Sequence, residues 1–148
     1  MHDRVDLESW GAAALNAADG SGQTLARAFL LIAGTIFLLI VALPLFLAPL
    51  AWAKRFLWTL PEEHALTIYF GRCLGATGIA VAGLALRAAA DPAAHLEVFD
   101  LIAISGALLT VVHVWGAIRR IQPWIETVEI GLYLAATVAS VWLRLTLG

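Results

Sequence analysis

The sequence predicts an all-α membrane protein, a bundle of four antiparallel transmembrane helices joined by short loops. Three observations carry this. Apolar residues make up 61% of the chain and charged residues only 14%, against about a quarter charged in soluble domains. The apolar residues arrive in runs of the ~20 residues a helix needs to cross a bilayer. Proline, tryptophan and cations mark the boundaries between runs, as they do at membrane–water interfaces. The expected spans are about 28–53, 65–88, 97–118 and 124–146, preceded by a polar, partly flexible tail over 1–24.

The tail holds Asp3, Asp6 and Glu8 where a secretory signal would carry a basic segment and an apolar core. Leu7 and Trp10 are expected to touch lipid headgroups, and Gly20-Ser-Gly-Gln23 reads as a hinge. Pro44 and Pro49 fall in the last third of the first span, and each removes a backbone hydrogen bond, so a kink or an early ending after Leu43 is expected. Trp52, Lys54, Arg55 and Trp58 then mark an interface.

Thr59-Leu-Pro-Glu62 has the pattern of a capping box opening the second helix. Gly71, Gly75, Gly78 and Gly83 give that helix a small-residue face, which permits close helix approach. Asp91 and Pro92 open the third helix as cap and first residue, and Gln122-Pro123 precede the fourth. Lys54, Arg55, Arg119 and Arg120 lie in the loops of one side, with Arg72 nearby, whereas Arg27, Arg87 and Arg144 lie near the other. The positive-inside bias therefore puts the 1–2 and 3–4 loops in the cytoplasm and the tail outside.

Charges inside a span cost roughly 2.5–3.5 kcal/mol each at mid-helix on insertion scales, so they tend to face protein and pair. Arg72, His113, Glu126 and Glu129 fall at similar depth near one side. Glu126, Glu129, Tyr133, Thr137 and Ser140 form a stripe at helical spacing, and Gly106, Thr110 and His113 form another. A third runs through Arg72, Ala76, Ile79 and Gly83, with Tyr69 at its entry. We expect the stripes to meet in the bundle interior, with Arg72 paired to Glu129 and His113 within hydrogen-bond reach.

Such a cluster most simply holds helices in register. It also suits a pocket for a polar headgroup, a quinone or a small metabolite. A proton relay through His113 and Glu129 ranks last, since the far half offers only Thr137, Ser140 and Asp100. His113, Glu126 and Glu129 could ligate a metal, but Glu-xx-Glu without a second histidine on an opposing helix is a weak signal and Arg72 beside them would repel a cation, so no metal is expected. His113 alone is too little for a haem assignment. His2, His64 and His95 suit solvated positions, and the tryptophans, Trp115, Trp124 and Trp142 included, read as an aromatic belt. Cys73, the single cysteine, excludes an internal disulfide and reads as helix packing. The net charge of −2 argues against nucleic-acid binding. The sequence holds no nucleophile–base pair, phosphate-cradling glycine loop or CxxC, and no cofactor is required by it; a quinone or a lipid would be the candidate ligand.

The segments YFGRCLGATGIAVAGL (69–84) and HVWGAIRRIQPWIETVEIGLYL (113–134) resemble small bacterial four-helix membrane proteins of the DoxX-like and BphX-like type, over roughly residues 29–147. Some members of that family are linked to quinone-dependent oxidoreductases or to operons for aromatic breakdown. The resemblance implies an accessory subunit of a larger assembly in the bacterial inner membrane, with other membrane subunits or further copies of itself as partners, and it names no catalytic residue.

Overall fold

The computed structural model describes residues 3–148, with side chains from Gly20 onward. Expectations for His2, Leu7 and Trp10 lie outside the described side chains. The chain is helical, and four of its helical stretches are long and apolar enough to cross a membrane: Gly20–Leu47, Ala65–Ala88, Pro92–Arg119 and Trp124–Leu147. Their outward faces are apolar; Leu145 is 73% exposed and Ile118 70%.

Helix α1 (Asp3–Ile36) runs without interruption through Gly20–Gln23, so the expected hinge is helical. Thr24 Oγ1 donates to the Gly20 carbonyl at 2.9 Å. The expected proline distortion is present but takes a different form. Phe37–Ala42 form a π-helical turn, and α2 (Leu43–Leu47) continues it. The helical path breaks five residues beyond Leu43, at Ala48, whose φ of −140° and ψ of 62° are not helical. Pro44 has no N–H for the carbonyl of Ile40, four residues earlier; the indole Nε1 of Trp52 donates to that carbonyl instead, at 3.0 Å. Pro49 then opens α3 (Pro49–Arg55).

Helix α3 ends in a Schellman turn: Trp58 N donates to Ala53 O, and Leu57 N to Lys54 O. Leu57 occupies the left-handed position, with φ 64°. The Thr59–Glu62 capping box does not form. Helix α4 (Ala65–Ala88) begins later, its first N–H accepted by Glu63 Oε1 at 3.1 Å, and the preceding residues form a loop. Asp91 caps as expected, accepting from Ala94 N at 3.3 Å, but over a 3-10 turn, Pro92–His95, that leads into α5 (Leu96–Arg119). A second Schellman turn, with Arg120 at φ 55°, closes α5, and α6 (Trp124–Leu147) starts after Pro123.

Glycine decides how α4 sits. A Cβ on Gly75 would overlap the backbone of Phe46, and one on Gly78 would come within 2.9 Å of the Ala42 methyl; Gly71 lies equally close to Pro49. Gly75, Gly78, Ala82 and Ala85 make one buried stripe, with Gly71 half-buried at its start. Gly83 faces open space and is not part of it. The structure is thus built from two hairpins, α1–α4 and α5–α6. They meet at one end in a core of Ala26, Leu30, Ala85, Val98, Phe99 and Leu143. Arg27 fastens that end, donating through Nε to Ala89 O at 3.0 Å and through Nη2 to Ala90 O at 2.8 Å, at the negative C-terminal end of α4. At the other end the hairpins stand apart.

In detergent, Gly75→Val should lower the unfolding temperature, since overpacking of this kind costs about 1–3 kcal/mol. Gly83→Ala, at an exposed helical site, should leave it unchanged or raise it by the equivalent of about 0.5–1 kcal/mol. Equal effects at the two positions would contradict the packing described here. Leu57→Gly should also stabilise, by about 1 kcal/mol, because it relieves a left-handed side-chain conformation at an exposed position.

Candidate functional site

Between the separated ends lies a cavity of about 440 Å³. One side is apolar, built by Phe37, Val41, Leu45 and Trp52 of the first hairpin together with Phe70 and Leu74 of α4. The loop residues Trp58–Pro61 line it as well. The opposite wall, from α5 and α6, carries His113, Glu126, Glu129 and Tyr133.

These four are brought together by helical spacing on either side of a tight turn. His113 lies near the end of α5 and Glu126 in the first turn of α6, so the turn folds one onto the other. His113 Nε2 stands 3.0 Å from Glu126 Oε2 and 4.0 Å from Glu129 Oε2. Glu129 and Tyr133 follow Glu126 at three- and four-residue steps on the same face. The Tyr133 hydroxyl donates to Glu129 Oε2 at 3.0 Å, and its ring packs against the imidazole at 4.9 Å between centroids. His113 and Glu126 are 9% and 6% exposed, a burial that an isolated charge could not sustain.

The tautomer of His113 follows from its neighbours. Nδ1 lies 2.7 Å from the carbonyl of Leu109, and a carbonyl oxygen only accepts, so Nδ1 carries a hydrogen. Nε2 therefore faces a carboxylate oxygen across 3.0 Å with either a lone pair or a second proton. Two carboxylates and an imidazole converge here. Among the described residues no lysine or arginine comes within ion-pair distance of either glutamate.

Arg72 is where the sequence expectation fails. It is exposed and makes no ion pair among the described residues, so the Arg72–Glu129 pair does not form. The cause is the rotation of α4 set by Gly71, Gly75 and Gly78. Arg72 follows Gly71 by one residue and points about 100° away from the stripe that packs inward. Tyr69 is likewise outside, 64% exposed and in edge contact with Phe70. Cys73 is exposed on the same helix rather than packed. Of the expected cluster, His113, Glu126, Glu129 and Tyr133 assemble, whereas Arg72 and Tyr69 do not.

Trp58, rather than Arg72, reaches the cluster from the first hairpin, and its partner is Glu126 rather than Glu129. Its indole Nε1 donates to Glu126 Oε1 at 2.8 Å and so links the loop after α3 to the second hairpin. The sequence marked it only as a belt residue. Its one visible signal was proximity to a proline-rich loop, which does not say where an indole points. Trp115, Trp124 and Trp142 are exposed as a belt requires, and Arg119 lies over the Trp115 ring at 5.6 Å.

Trp58→Phe and Glu126→Gln should each destabilise the protein in detergent, and the double variant should lose less than the sum. The expected coupling energy is about 1–3 kcal/mol, as for a hydrogen bond to a charged partner. Strict additivity would mean that the bond contributes nothing.

Comparison with known proteins gives no relative on which to rest a role: no family model matches the chain, and neither a curated protein nor a solved structure does.

Proposed function

We propose that this chain is a multi-pass membrane protein that binds an amphipathic small molecule between its two hairpins and does not itself catalyse a reaction. The observation that carries the proposal is the cavity. Its volume falls in the range of small-molecule sites, and its walls are mostly apolar, with one convergent set of ionisable groups and the hydroxyls of Thr59 and Thr67. Such a lining suits a ring or chain that enters from the hydrocarbon and offers hydroxyl hydrogens to the carboxylates. A quinol-type head on an apolar tail meets both requirements. The outward apolar faces of the four long helices support a bilayer setting. The bacterial inner membrane, with the 1–2 and 3–4 loops cytoplasmic, is the location that the DoxX-like resemblance and the arginine distribution suggest.

A second reading, an accessory or stabilising subunit of a larger membrane complex, is favoured by one observation. Arg72 is an outward cation on an apolar helix and makes no ion pair among the described residues. An acidic side chain on a neighbouring subunit, or on a second copy, would compensate it. The two readings are compatible in one protein. Transport of a small solute or a proton finds less support, because the far end of the bundle is packed with Phe99, Leu30 and Leu143.

The protein purified in mild detergent should bind a short-chain quinol with quenching of tryptophan fluorescence, since Trp52 and Trp58 line the cavity. Glu126→Gln and Leu45→Trp, one at the polar wall and one filling the apolar side, should each weaken binding at least tenfold. Arg72→Ala should leave it unchanged. Saturable binding unaffected by both cavity substitutions would overturn the proposal, as would absence of binding.

A further inference from the structure

We propose that His113, Glu126 and Glu129 bind a divalent first-row transition-metal ion, held as a three-ligand site open to the cavity. The inference deepens the ligand-binding reading and rests on it, because the open position is where an oxygen of the bound molecule would coordinate.

The first argument is the donor set. Each residue offers one ligand atom, and the three atoms lie within 4.8 Å of one another. Ligands sharing one ion at ~2.1 Å stand roughly 3.0–3.4 Å apart. The His113–Glu126 pair is already at 3.0 Å, and the His113–Glu129 pair at 4.0 Å needs only a small side-chain adjustment. One imidazole with two carboxylates is a mixed N/O set of the kind zinc, iron(II) and manganese(II) accept. Two carboxylate charges match one divalent cation.

The second argument is what the cavity wall lacks. Glu126 and the His113 imidazole are buried and Glu129 is half-buried in apolar surroundings, and among the described residues no lysine or arginine comes within ion-pair distance of the two glutamates. A protonated His113 would balance only one of the two carboxylates, whereas a divalent cation held at Nε2 would balance both. The sequence weighed against a metal because Glu126-xx-Glu129 has no second histidine on an opposing helix and because Arg72 was expected beside the glutamates. With Arg72 turned outward by the glycine face of α4, that repulsion is removed.

The third argument is the surrounding shell. Histidine ligands usually donate their other ring N–H to a carbonyl or carboxylate, and ligating carboxylates are themselves hydrogen-bonded. All three residues have such a partner outside the cluster. His113 Nδ1–H donates to Leu109 O, Trp58 Nε1–H to Glu126 Oε1, and the Tyr133 hydroxyl to Glu129 Oε2. These bonds fix the imidazole tautomer with Nε2 turned to the carboxylates. Three protein ligands beside a cavity leave a coordination position facing the apolar space, the arrangement of open rather than structural sites.

The test uses cobalt(II) as probe on the full chain, stripped with a chelator in mild detergent and shown to be monodisperse and helical. The expected result is one cobalt per chain, with visible ligand-field absorption and competition by zinc. Glu129→Gln should weaken uptake at least about 100-fold, and Tyr133→Phe, which removes only a supporting bond, about 10–100-fold. Asp100→Asn, at the opposite end and paired with Arg144, should bind like the parent. Absence of cobalt uptake by the folded parent, or uptake that Glu129→Gln and Tyr133→Phe both leave intact, overturns the proposal. The quinol titration is run in parallel on stripped and cobalt-loaded protein. Quinol binding of equal strength to both, with no cobalt spectrum, removes the metal and keeps the ligand reading. A cobalt spectrum that responds to quinol supports both, and a cobalt spectrum without quinol binding at any metal loading removes only the ligand reading.

Discussion

Burial of two carboxylates and an imidazole inside an apolar bundle is the constraint to which the rest of the structure answers. Water would solvate these groups at no cost, whereas an apolar interior cannot, so each lone pair needs a donor or a cation. The protein supplies some of this from unusual places. An indole arrives from the loop after α3, a phenol comes from the next turn of the same helix, and a main-chain carbonyl orients the ring. Among the described residues no lysine or arginine joins them, and His113 can balance at most one of the two carboxylates. That shortfall makes the cluster a place for something else to bind.

The space beside the cluster has its own physical origin, in the first hairpin. Glycines at 71, 75 and 78 let α4 approach Phe46, Ala42 and Pro49 more closely than any larger residue would permit. Pro44 and Pro49 forbid a regular helix through the same region, and the chain answers with a π-helical turn, a break at Ala48 and the short α3. The first span is thereby drawn against α4 and stops short of the α5–α6 wall. Trp52 satisfies a carbonyl that Pro44 cannot bond and stacks on Phe56 at 4.4 Å, so the break is itself hydrogen-bonded and packed.

Much of this was legible in the sequence, and the failures share one cause. The four spans, Asp91 as a cap, the glycine contact and the grouping of His113, Glu126, Glu129 and Tyr133 follow from period, composition and local turn chemistry. Those signals act over a few residues. Arg72 required knowing which face of α4 turns inward, and two rules pointed to faces only one residue apart. Charge avoidance of lipid favoured Arg72 inside, while close packing favoured Gly71 inside. Packing prevails because it acts along the whole helix, whereas a single arginine two turns from a helix end can extend its stem toward the headgroups. Trp58 and the absent capping box fail differently: the loop before α4 is shaped by a bond to a residue 68 positions away, which no local pattern encodes.

The same geometry bears on whether the cluster is scaffolding. A polar bond that holds helices in register is most useful between elements the chain leaves free to slide. His113 and Glu126 do not fit that description. They flank a turn so tight that α5 and α6 have one register whatever the side chains do, and the hairpin is closed further along by the approach of Gly106 to Thr137, where a Cβ would lie 2.5 Å from Oγ1. The junction between the hairpins, where slippage is a real freedom, is secured elsewhere, by the core around Phe99. Among the described residues only Trp58 carries the cluster's bonding to the first hairpin, and it does so from a loop rather than a helix. Costly polar groups placed where they add least to the fold, and where the bundle is open, are better explained by what they hold than by what they hold together.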